Sequence, residues 1–235
     1  MADQSIQAGF DEPIETPHPR TYRLLLPCVL GLACAAGIPS GDGPDPVPKP
    51  SEVRSQTRFQ ACGDGTVADL RHGLLWEQKR GEPGGEVFCG WVPGGCPDPH
   101  GVDQRYTWAG SKADRNPEKS GAHGDFLATL NGHQDLPCFA DHCDWRLPTV
   151  SEWKTILVGP DAGTGQEKVC VSVPCIDAGF PDGGRTSAGG YWSQTRSSHL
   201  RRARRFADFS NGRIPMVFQM TTLYVRAVRS GNCQR

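Results

Sequence analysis

The residues best suited to chemistry in this 235-residue chain are a run of arginines and a set of cysteines. Arg201, Arg202, Arg204 and Arg205 fill four of five consecutive positions, with Arg196 and Arg213 nearby. A guanidinium is a planar, permanently charged fork that matches the oxygens of sulfate, phosphate and carboxylate. These six arginines therefore form a candidate anion-binding patch on a loop that feeds an edge strand. The competing reading is a solvated edge whose charges block strand pairing or bridge to Asp208 and other acids. His133, Cys138, His142 and Cys143 lie close in sequence and are zinc-ligand types, although adjacent His142-Cys143 is poor tetrahedral spacing. Asp64, Asp69, Asp161, Asp177 and Asp182 carry the oxygens that calcium takes, yet Asp-Gly is first a turn signal. No metal and no cofactor is assigned. The sequence has no G-x-S-x-G, H-E-x-x-H or P-loop spacing.

The compartment decides how the ten cysteines are read. Arg20 and Arg23 precede an uncharged apolar run from Leu24 to Gly37, the layout of a secretory signal. The run is too short for a bilayer, which needs about 20 apolar residues, and Pro27 and Gly31 disfavour a membrane helix. Cys34 after Leu32-Ala33 resembles a bacterial lipobox, which would lipidate Cys34; Ala33-Cys34-Ala35 alternatively reads as an A-x-A cleavage site. Residues 1–35 are thus an N-terminal extension with a signal or lipoprotein signal. Residues 36–56, rich in Pro, Gly and Asp, make an extended tether. The expected location is extracytoplasmic, as an outer-membrane or cell-surface lipoprotein or a secreted protein, touching membrane only through a lipid anchor.

Export leaves eight cysteines for residues 57–235, an even count that reads as four disulfides among 105 possible pairings. Spacing favours Cys89–Cys96, Cys138–Cys143 and Cys170–Cys175, with Cys62–Cys233 tying the domain's ends together. Twenty-nine Gly and 20 Pro describe a loop-rich globular domain. They exclude a coiled coil, and the absence of strict Gly spacing excludes a collagen. A formal charge of −1 argues against a global polyelectrolyte partner, and nucleic acid is not expected.

The elements that must position these residues are short. Thr66–Asp69 and Leu74–Glu77 flank Arg71-His72-Gly73 as a hairpin. Residues 80–105 show no periodicity and read as a loop ordered by a disulfide. A short helix is expected over 123–132, with Gly132 as its C-terminal cap. Thr149-Val150-Ser151-Glu152 is a capping box; Val150, Trp153, Ile156 and Leu157 continue it as an apolar stripe. Strands are expected at 204–209, 214–219 and 223–229, the first two joined through Ser210-Asn211-Gly212. The sum is α+β: mostly short antiparallel strands, two short helices and long loops.

Several blocks together resemble a family. Gly63-Asp64-Gly65-Thr66-Val67-Ala68-Asp69-Leu70 with Leu74-Leu75-Trp76-Glu77, Tyr106-Thr107-Trp108-Ala109, Asp144-Trp145-Arg146-Leu147-Pro148-Thr149 with Glu152, Tyr191-Trp192-Ser193 and Tyr224-Val225-Arg226-Ala227-Val228-Arg229 resemble the Lcl C-terminal domain family of secreted bacterial proteins. The resemblance implies a C-type-lectin-like fold, distantly similar to the formylglycine-generating, sulfatase-modifying domains. In physical terms the signature block, Asp144 to Thr149 with Glu152, is a helix-entry device, and its role, with Trp192, reads as architectural. The family's namesake adhesin binds sulfated glycosaminoglycans, which points to a non-catalytic binding or adhesion module of the cell envelope. Its expected partner is a sulfated or acidic polysaccharide or a surface protein. The alternative is an oxidase-like relative of the formylglycine generators without the usual C-terminal cysteine pair.

Overall fold

A computed structural model describes residues 57–89, 96, 98–108, 120–162 and 169–234; the signal, Cys34 and the tether expected within residues 1–56 lie outside the described residues. Strands β2 (Thr66–Asp69) and β3 (Leu74–Glu77) pair antiparallel around the turn that ends at Gly73, whose φ is 61°. Every residue of both strands is buried. Side chains alternate across a strand, so Val67 and Trp76 enter one apolar core while Ala68 and Leu75 enter a second. This hairpin is the partition between the two cores.

Among the described residues the strands form two sheets. The first has the order β1 (Phe59–Ala61), β2, β3, β10 (Val228–Ser230), all antiparallel. The second runs β4 (Val87–Phe88), β5 (Gln104–Thr107), β9 (Thr222–Tyr224), β6 (Gly190–Arg196), β7 (Ala203–Asp208), β8 (Met216–Phe218). Its β4–β5 and β6–β9 contacts are parallel and the others antiparallel. With its two short α-helices the domain is α+β.

A π-helical stretch, Ala122–Leu127, runs into α1 (Ala128–Leu130), and buries Phe126, Leu127 and Leu130. Gly132 follows with φ 77°, the left-handed conformation that closes a helix without a Cβ clash. Helix α2 (Val150–Ile156) starts at Thr149, whose Oγ1 accepts from the Glu152 N–H while the Glu152 carboxylate accepts from the Thr149 N–H. Trp153 and Ile156 fill the core from it.

Four disulfides close the described domain: Cys62–Cys233, Cys89–Cys96, Cys138–Cys143 and Cys170–Cys175. They are the expected pairs: three local ones that spacing favours, and Cys62–Cys233 as the pair left over. Cys138–Cys143 takes both thiols of the zinc-type cluster, leaving His133 and His142 without cysteine co-ligands. Among the described residues no group of three or more His, Cys, Asp or Glu is placed to hold a metal ion. No helix among them is long and apolar enough to cross a membrane.

Three expectations need correction. Residues 80–105 are not all loop, because Val87–Phe88 and Gln104–Thr107 pair as strands; residues 90–95 and 97 lie outside the described residues. The strand expected over 223–229 is two strands in different sheets, β9 and β10. The break falls at Arg226, fully buried, whose guanidinium donates to Asp182 Oδ2 at 2.7 Å, Thr186 Oγ1 at 3.0 Å and the carbonyls of Arg185 and Glu77. A buried guanidinium must reach its partners, and that need overrides a continuous sheet ladder. Third, the arginine-bearing strand is not an edge: β7 has β6 on one side and β8 on the other, so β8 is the edge.

Candidate anion-binding site

The β6–β7 hairpin positions the arginine cluster. Arg201 and Arg202 lie exposed in its turn, where the Ser197 hydroxyl accepts from the His199 and Leu200 N–H groups. Arg204 and Arg205 are consecutive in β7 and so point to opposite faces. Arg205 is exposed and donates to the Ile214 carbonyl at 3.1 Å. Arg213 is exposed beyond the Ser210–Gly212 turn, its backbone bridged to Asp208. Gly212 has φ 71°, and a Cβ there would run into Val158 O and the Gly159 Cα. The turn is thus locked against the segment that follows α2.

Arg204 is the unusual member. It is 4% exposed, and its guanidinium carbon lies 3.7 Å from the centroid of the Trp108 ring. Its Nε and Nη1 are buried with no hydrogen-bond partner among the described residues. Arg196 stands directly opposite in the β6–β7 register. Direct cross-strand neighbours share a face, where like charges repel. Desolvation, then the Arg196 charge, pushes the Arg204 pKa down to about 10. Trp108 is fixed from below by its indole N–H, which donates to the Ser193 carbonyl. The sequence-predicted six therefore separate: Arg204 lies over Trp108 with Arg196 opposite it across the β6–β7 pair, Arg201 and Arg202 lie in the adjoining turn, and Arg205 and Arg213 stand apart.

The signature block is structural throughout. Trp145, Leu147 and Trp192 are buried, and the two indoles donate to Phe139 O and Tyr106 O. Arg146 pairs through its backbone with Val228 and through its fork with Glu152, at 2.6 and 2.8 Å. The Pro148 carbonyl accepts from the Gln194 N–H, and Asp144 bridges Arg229 at 2.6 Å. The block joins β10, α2 and β6. Burial alone would raise the Glu152 carboxyl, but Arg146 and Thr149 outweigh it and hold it below its ordinary 4.5. Arg229 likewise lowers Asp144. A carboxyl held down in the fold binds fewer protons than in the unfolded chain. Its stabilisation is complete above the ordinary value and fades as pH falls through the lowered one. Melting temperature should therefore drop as pH falls below about 4.5, and Glu152→Gln should flatten that slope. Identical pH profiles for the two proteins would refute this assignment.

The candidate calcium ligands are committed within the protein. Asp64 caps Thr66, Asp69 holds Arg58 and His72, Asp161 accepts from the Ile214 N–H, Asp177 pairs with Arg58, and Asp182 pairs with Arg226. Sequence reasoning missed a second polar group at the end of β3, formed by Glu77, Lys79, His100, Asp182 and Arg226. Its one local signal was Glu77 and Lys79 two positions apart, hence on one face, next to apolar strand residues. His100, 23 positions from Glu77, gave none.

Fold and bridges define a disulfide-closed α+β domain with cationic surface sites, a constitution that fits an extracellular protein. The sequence pattern of the Lcl C-terminal domain matches residues 65–229, most of the chain, and the chain belongs to that family. No curated protein and no solved structure matches it.

Proposed function

We propose that the chain is a non-catalytic binding or adhesion module of the bacterial cell envelope, held outside the cytoplasm by a lipid on Cys34 or secreted, and that it recognises anionic polysaccharide. In this reading a lectin-like scaffold presents Arg196 and Arg204, with Arg201 and Arg202 beside them, to sulfate or carboxylate groups. The observation that carries it is Arg204, a buried guanidinium whose Nε and Nη1 have no hydrogen-bond partner among the described residues, opposed by a second arginine. Burying an unpaired charge is costly, and an oxyanion lying between the two guanidinium groups would supply the missing acceptor and cancel the repulsion. Cys233 supports a binding role over an oxidase-like one, since its thiol is taken up in the bridge to Cys62.

Heparin chromatography tests the proposal. Wild type should be retained in a salt-sensitive manner. Arg196→Ala/Arg201→Ala/Arg202→Ala should elute with unretained protein. Arg204→Leu, which keeps apolar contact with Trp108, should weaken heparin affinity at least tenfold, which corresponds to about 1.4 kcal/mol, without lowering the melting temperature. Elution of both variants with wild type would discard the site.

A further inference from the structure

A cavity of ≈ 250 Å³ opens at the end of β3, lined among others by Gln78, Lys79, Arg80, His100, Phe139 and Arg185. Sites for drug-sized ligands run to roughly 300–1,000 Å³, so this one has room for a single small unit. Its wall is cationic, with no carboxylate among the described lining residues. The nearby acids lie behind that wall and are occupied: Glu77 with Lys79, His100 and the Ala227 N–H, and Asp182 with Arg226 and the Lys79 N–H.

The lining groups divide into supports and free contacts. Lys79 is buried and its ammonium is used, donating to Glu77 Oε1 at 2.9 Å and the Pro99 carbonyl at 3.2 Å. Arg80 is exposed, and its guanidinium has no hydrogen bond or ion pair among the described residues. Arg185 is half exposed and only loosely held, 3.7 Å from Asp182. The His100 ring is fixed on two sides. Its Nδ1 sits 2.8 Å from Glu77 Oε1, and its face packs on Phe139 with centroids 4.3 Å apart. Burial works against the charged form of Glu77, but Lys79 and His100 outweigh it and keep the carboxyl ionised. A carboxylate only accepts, so Nδ1 carries the proton. In the neutral ring Nε2 is then an acceptor, and it has no protein partner among the described residues.

We propose that this cavity is a second binding site, for a small hydroxy acid such as one acidic sugar unit. Arg80 and Arg185 receive the oxyanion, and His100 Nε2 accepts a hydrogen bond from a hydroxyl of the same unit. Glu77 and Phe139 are positioning residues that set the tautomer and the plane of the imidazole, as a carboxylate does behind a metal-bound histidine. The two-point arrangement reads the combination of acid and hydroxyl. The site stands apart from the β6–β7 arginines and does not depend on them.

Isothermal titration of the full chain with glucuronate, glucose and acetate tests this. Glucuronate should bind saturably with a stoichiometry of one. Glucose, which lacks the acid, and acetate, which lacks the hydroxyls, should each bind at least tenfold more weakly. Arg80→Gln/Arg185→Gln should weaken glucuronate at least tenfold with an unchanged melting temperature, whereas Arg196→Ala/Arg201→Ala/Arg202→Ala should bind it as wild type does. The proposal is overturned by absence of saturable glucuronate binding, by acetate binding as tightly, or by unchanged affinity in the Arg80/Arg185 variant. It is equally overturned if the loss appears in the β6–β7 variant instead. Because heparin retention is read separately, failure of either site leaves the other measurable.

Discussion

Replacing Asp182 by alanine is expected to cost about 3–5 kcal/mol of folding free energy, the range for breaking a buried ion pair from one side. Asp182 and Arg226 are both almost completely buried and meet at 2.7 Å. Glu77 and Lys79, equally buried, form a second pair alongside, so two acids balance two bases. Removing one acid leaves an excess cation away from water, and it also strips the Lys79 N–H of its acceptor. The pair taken together is less critical, because an apolar replacement of both partners avoids the orphaned charge. Asp182→Ala/Arg226→Met should therefore recover part of the loss. Urea unfolding of the four proteins in the cycle gives the coupling energy directly. A coupling indistinguishable from zero would show that the pair does not act as a unit.

The second large effect is expected from the bridge that joins the domain's ends. Cys62–Cys233 closes a separation of 171 residues, against five or seven for the others. The chain-entropy model assigns a loop of that length about 5 kcal/mol and the short ones about 2 kcal/mol. Cys62→Ser/Cys233→Ser should thus lower unfolding stability far more than Cys138→Ser/Cys143→Ser. Chemical denaturation of both double variants under non-reducing conditions is the measurement. Equal losses would mean that the long bridge adds no constraint to the unfolded chain beyond that of a local one.

Which features were legible follows the range of the interactions behind them. The capping box at Thr149 and Glu152 spans three residues, and both halves of it form. The β2–β3 hairpin and three of the disulfides are similarly local. What escaped depends on distant partners. The interruption of the last strand at Arg226 is dictated by Asp182, 44 residues earlier. Phe88 and Arg105 lie in a segment without alternation, and their pairing follows from the way β5 is received by β9. At the arginine cluster composition identified the region correctly as cationic. It could not show that Arg204 turns inward onto Trp108, because that depends on a tryptophan nearly a hundred positions away. The cavity at His100 was hidden for the same reason: its wall is assembled from the segment that follows β3, from His100, and from Phe139 and Arg185.

The position of the Cys62–Cys233 bridge also governs how the domain bears mechanical load. β1 is a three-residue outer strand joined to β2, and Cys62 follows it immediately. Tension arriving through the chain ahead of Thr57 can peel β1 away, and there the peeling stops. Beyond that point the pull passes through a covalent link to the segment just after β10, which is itself laced to β3. Tension applied between the two ends of the domain therefore runs through the bridge and bypasses the hydrogen-bonded core. A domain built in this way withstands a pull between its two ends without unfolding.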